Sequence, residues 1–171
     1  MKRLRDVTVA RPRLLLVGIN PSLRSGEVGH HFAGPGNPFY KLLFASELTE
    51  VQLSAPEDRR LAEFGIALTN LCARPTRSAA DLTRREMDAG KILLRRKIAR
   101  KRPKVVAFVG LSLYQTYFGL KKSGGAGAKQ ETIAGARVFV VPNPSGLNAS
   151  FPGFVHKVVW YEALREFVEN V

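Results

Sequence analysis

Cysteine is almost absent: Cys72 is the single thiol among 171 residues. One thiol excludes an internal disulfide framework, and it excludes a zinc or iron–sulfur centre built from several thiolates of one chain. Its place just after Ile66-Ala67-Leu68 suits a small core residue better than a nucleophile. Long apolar runs are absent too. No stretch approaches the roughly 20 residues of a membrane span. The basic start, Met1-Lys2-Arg3-Leu4-Arg5, leads to Pro12 and Arg13 rather than to the apolar segment of a secretion signal. The expectation is a soluble cytoplasmic protein that is not secreted, associated with the nucleoid if bacterial. Acidic residues are scarce as well: 14, against 27 Lys and Arg, leave a formal charge of +13. Such a surplus on a small domain points to a polyanionic partner, nucleic acid before an anionic membrane.

The length suits one domain, read here as residues 13–171 behind a basic N-terminal arm, 1–12, with no internal repeat. Apolar runs at Leu14 to Ile19, Ile66 to Leu71, Val105 to Val109 and Val138 to Val141 are bounded by Gly, Pro or Asn and read as buried strands. Helical patterns alternate with them. Asn37-Pro38 opens one helix, to about Glu47, and Asp81 is a candidate cap for another that must stop near Arg102, before Pro103. In the latter, Met87, Gly90, Leu94 and Ile98 share a face, with Arg85, Arg96 and Arg100 roughly opposite. Gly110-Leu111-Ser112 starts a short helix. A last helix, about Val155 to Val168, turns Trp160, Leu164 and Phe167 inward, and Lys121 to Gln130 reads as a flexible basic loop. The alternation predicts an α/β fold, a three-layer α/β/α sandwich with a short, mostly parallel central sheet.

In such sheets ligands gather at the carboxyl ends of the strands. Two unusual turns fall there: Gly18-Ile19-Asn20-Pro21-Ser22 after the first strand and Asn143-Pro144-Ser145-Gly146-Leu147-Asn148 after the fourth. Either alone is ordinary turn punctuation; together they put two rigid turns on one sheet edge. Gly18-Ile19-Asn20-Pro21, with Gly29-His30-His31-Phe32 and Gly34-Pro35-Gly36-Asn37, resembles the first motif of the mismatch-specific uracil/thymine DNA glycosylase family. Asn143-Pro144-Ser145-Gly146-Leu147 is similar to its second. The segments 48–53 and 68–76, Phe151-Pro152 and His156-Lys157-Val158 also fit, in collinear order from about residue 13 to 168.

That resemblance implies a monofunctional glycosylase that flips mispaired uracil, and thymine less efficiently, out of duplex DNA and hydrolyses its glycosidic bond. Asn20 would position the water through its amide oxygen, with Thr76 sharing that water; an asparagine, unlike an aspartate, cannot take the water's proton. Ile19, Ser25, Phe32, Asn37 and Asn70 would form the base pocket, Phe32 stacking on the base and Ser25 and Asn37 lying towards its C5 substituent. Leu147 would wedge into the vacated space, and the turn Asn143, Pro144, Ser145, Gly146 and Asn148 would enter the DNA and meet the orphaned guanine. Asn148 and Ala149 stand where the family often has serine and arginine, and Ser22 where it usually has glycine.

Arg74, Lys121, Lys122, Lys129 and Lys157 would follow the phosphates. The adjacent His30 and His31 read as DNA-facing or structural, since no carboxylate or third histidine stands at ligand spacing. The expectation is a monomer on double-stranded DNA, needing no metal and no cofactor, without lyase activity. A non-catalytic module that recognises mispairs is the alternative; abasic product separates the two.

Overall fold

The computed structural model describes residues 4–145 and 149–171. Its centre is a sheet of β1 (Leu14–Gly18), β2 (Ile66–Asn70), β3 (Val105–Val109), β4 (Gly127–Ile133) and β5 (Ala136–Val141), in the order β2-β1-β3-β5-β4. All but β4 run parallel, with Leu14 level with Ile66 and Val105, and Val105 level with Arg137. β1 and β3 are buried along their whole length. Strands covered on both faces read as continuous apolar runs, which is why they are visible in the sequence.

Alternate side chains feed two cores. Leu14 and Leu16 pack with α2 (Phe39–Ala45) and α5 (Phe154–Glu169), while Leu15 and Val17 pack with α3 (Arg84–Lys101) and α4 (Leu111–Phe118). The result is the expected three layers. A short α1 (Leu23–Val28) follows β1, and a kinked 3-10 segment, Ala55–Phe64, precedes β2. The chain leaves β1 for β2 on one side and then crosses to β3 on the other, so the sheet's switch point lies at the carboxyl ends of β1 and β3.

Several elements differ from the sequence reading. The segment from Lys121 does not stay a loop: from Gly127 it is β4, an antiparallel edge strand against β5, bulged between Lys129 and Thr132. Thr83, not Asp81, caps α3, its Oγ1 accepting from Glu86 N while the Glu86 carboxylate accepts from Thr83 N. Asp81 instead closes the preceding 3-10 turn by accepting from Ser78 N. In α5, Tyr161 is wholly buried and Trp160 only half-buried. Gly90 is where α3 meets the end of β2; an added Cβ there would lie 2.3 Å from the Leu71 carbonyl oxygen.

Asp6 and Val7 are fastened to β2. Val7 pairs antiparallel with Leu68 and is 2% exposed. Asp6 accepts from Thr69 Oγ1 and Lys97 Nζ, each at 2.8 Å.

Candidate active site

The ends of β1 and β2 are joined beyond the sheet. Leu71 N donates to Gly18 O, Cys72 N to Ile19 O and Thr76 N to Pro21 O. This pairing carries Thr76 to Asn20. The Asn20 amide nitrogen donates to the Arg74 carbonyl at 2.9 Å and to Thr76 Oγ1 at 2.7 Å, and Thr76 Oγ1 donates to the Ser78 carbonyl at 2.7 Å. A carbonyl only accepts, so the end of the carboxamide facing Arg74 must be the nitrogen. Both amide protons are thereby engaged, and among the described residues nothing donates to Oδ1.

Asn20 borders a cavity of about 110 Å³ at the switch point, well below the ~300–1,000 Å³ usual for drug-sized ligands. Ile19, Ser25, Phe32, Asn37, Asn70, Asn143 and Ser145 border the same cavity. Thr76 stands behind Asn20. Phe32 holds a positive φ of 51° and stacks on Phe39 with centroids 3.9 Å apart, leaving its other face for a planar ligand. Ser25, 2% exposed, accepts from Ala33 N at 3.0 Å and Ser22 Oγ at 3.1 Å. Ser22 is therefore the N-cap of α1 and a support for Ser25. Asn37 accepts from Phe39 N just ahead of α2, whose N-cap is Pro38 rather than Asn37 as the sequence suggests. Asn70 makes no side-chain hydrogen bond among the described residues. It presses on β1: an added Cβ on Gly18 would lie 2.6 Å from Asn70 Oδ1. The Ile19 carbonyl already accepts from Cys72 N at 2.9 Å, leaving it one lone pair for a ligand.

His31 is the single titratable side chain bordering the cavity among the described residues. It is 2% exposed, and its Nε2 donates to the Arg5 carbonyl at 2.7 Å, which fixes the tautomer. Burial above all lowers its pKa, so the ring is neutral near pH 7. The carboxylate that the sequence reading did not find for the histidines is Asp58, wholly buried, which accepts from His31 N at 2.9 Å and faces His30 Nδ1 at 3.1 Å. Its distance along the chain hid it. The pair is structural, and no group of three His, Cys, Asp or Glu residues is placed to hold a metal ion among the described residues.

Of the five cations expected along the phosphates, three have partners within the protein. Lys157 is 6% exposed and donates to the Pro144 carbonyl at 3.0 Å, so it belongs to the interior. Arg74 pairs with Glu86 through two nitrogens and also donates to the Asp81 carbonyl; the Arg74 guanidinium in turn holds the Glu86 carboxyl down to about 2. Lys129 donates to the Ser123 carbonyl at 2.7 Å and lies over the Tyr114 ring. Lys121 and Lys122 are exposed. In the second turn, Asn143 Oδ1 accepts from Ser145 N and Ser145 Oγ, each at 3.0 Å. The assignments to Gly146, Leu147 and Asn148 lie outside the described residues.

A neutral, asparagine-rich cavity at the switch point of this sheet agrees with the sequence comparisons. The family model of the uracil DNA glycosylase superfamily matches residues 6–165, and the chain belongs to that superfamily. A curated relative, the G/U mismatch-specific uracil DNA glycosylase of Schizosaccharomyces pombe, is 35% identical over 164 residues. The match covers 91% of this chain and 50% of the relative, so the chain spans about half the length of that protein.

Proposed function

We propose that this protein is a monofunctional DNA glycosylase that flips mispaired uracil out of a G·U duplex and hydrolyses its N-glycosidic bond, acting on thymine less efficiently. Extruding the base costs a few kcal/mol, least at a mispair. The base would lie on the free face of Phe32, between Asn70 and the Ser25–Asn37 side. The bond between sugar and base breaks with its electron pair leaving on the base; water adds to the oxocarbenium-like sugar and loses a proton to solvent. The observation that carries this reading is the orientation of Asn20, whose amide protons are both engaged by Arg74 and Thr76 so that Oδ1 is left to hold the water. No carboxylate borders the cavity among the described residues, so catalysis here is positioning rather than proton abstraction, and the enzyme is slow. No lysine borders it either, which supports hydrolysis without a Schiff base.

The test is single-turnover cleavage of labelled duplexes holding one G·U, A·U, G·T or G·C pair, for wild type and Asn20→Ala. The expected pattern is fastest cleavage at G·U, slower at G·T, and loss by about 100-fold in the variant. Equal rates at G·U and G·T would remove the role given to Ser25. Tighter binding to G·U without any cleavage would make the protein a mismatch-recognition module instead.

A further inference from the structure

Two side chains of α5 hold the turn that follows β5 from within the protein. Lys157 Nζ donates to the Pro144 carbonyl at 3.0 Å, and Tyr161 Oη to the Pro142 carbonyl at 2.8 Å. They stand one helical turn apart and so share a face. With Asn143 Oδ1 closing on Ser145, the segment from Pro142 to Ser145 is fixed at three points, directly before residues 146–148. Burying an ammonium is costly, and a buried charge is poor evidence of a gain in stability. Among the described residues the partner of Lys157 is a main-chain carbonyl, not a carboxylate. Leu at that position would pack as well. What Leu cannot do is grip a carbonyl and set the height of the turn.

We infer that Lys157 is a positioning residue for base extrusion: through Pro144 it holds the turn that carries Asn143 and Ser145 to the border of the cavity, and Tyr161 does the same through Pro142. This rests on the glycosylase reading above. Lys157 does not border the cavity, so its removal weakens extrusion rather than bond cleavage.

The experiment separates the two steps. Duplexes with guanine opposite a fluorinated deoxyuridine that resists cleavage, beside a fluorescent base analogue, report extrusion; natural G·U duplexes report cleavage. Lys157→Met is expected to lower the extrusion signal by about 10-fold, with the cleavage rate falling by the same factor. Lys157→Gln, which keeps an N–H donor, recovers part of the loss. Tyr161→Phe, which removes one hydroxyl, shifts both readouts in the same direction and serves if Lys157→Met melts too low to compare. Asn20→Ala keeps extrusion and loses cleavage. Full extrusion in folded Lys157→Met and Tyr161→Phe overturns the inference and leaves the glycosylase reading intact where the wild type cuts G·U. A wild type that neither extrudes nor cuts overturns both.

Discussion

Thr76, together with the Arg74 carbonyl, determines which end of the Asn20 carboxamide meets the cavity. Its Oγ1 accepts from Asn20 Nδ2 at 2.7 Å and passes its own proton to the Ser78 carbonyl. The hydroxyl therefore stands behind the asparagine and supports its carboxamide. Thr76→Val keeps the shape and removes the acceptor. The expected outcome is a fall of about 10-fold in single-turnover cleavage of G·U, with binding of the same duplex unchanged; a parallel loss of binding would show that Thr76 touches the DNA.

Gly18 is held to glycine by Asn70, whose Oδ1 would sit 2.6 Å from an added Cβ. Gly18→Ala must therefore displace the Asn70 carboxamide while the strand itself stays in register. The expected result is a larger loss of G·U cleavage than of melting temperature. A variant that cuts normally would show that Asn70 makes no contact with the base.

The Arg74–Glu86 pair separates two kinds of cation at the candidate DNA face. Arg74 already has a carboxylate partner, whereas Lys121 and Lys122 are exposed. Lys121→Ala and Lys122→Ala should each reduce the slope of log affinity against log salt by about one. Arg74→Ala should leave the slope nearly unchanged, a difference that binding titrations from low to moderate salt will read.

Acid should weaken the fold through His31. Its pKa in the folded protein lies below the ordinary value of about 6.5 because burial disfavours the charged ring. As pH falls through the unfolded value the unfolded chain takes up the proton first, so stability drops from there downward and is regained as pH rises. Melting curves from pH 8 to pH 5 should show this decline in the wild type and a shallower one in His31→Gln. Identical declines would assign the acid sensitivity to other groups.

The sequence discloses those parts of the molecule whose physics is local. β1, β2, β3 and β5 are apolar because helices cover both their faces, and the Asn-Pro turns mark the strand ends that form the cavity. β4 escapes notice because an edge strand with one polar face, Gly127-Ala128-Lys129-Gln130-Glu131, has the composition of a loop. The residues that border the cavity are legible from motif resemblance. Their supports are not: Asp58 reaches His30 and His31 across the chain, Glu86 occupies Arg74, and Tyr161 holds Pro142, none of which follows from spacing. Lys157 misleads for the same reason. A lysine reads as surface from its charge alone, and only the fold shows this one, between His156 and Val158, pointing inward.

β2 is the outermost strand on its side of the sheet, and its outer margin is where Val7 lies. Val7 and Leu68 exchange both main-chain hydrogen bonds at 2.9 Å, and Asp6 fastens the same stretch to Thr69 and Lys97. Strands at a sheet margin are templates on which other chains can polymerise when their amide groups stand open. The segment around Val7 thus closes part of that margin with a single rung of pairing, leaving the opposite end of β2 free to carry Asn70 to the cavity.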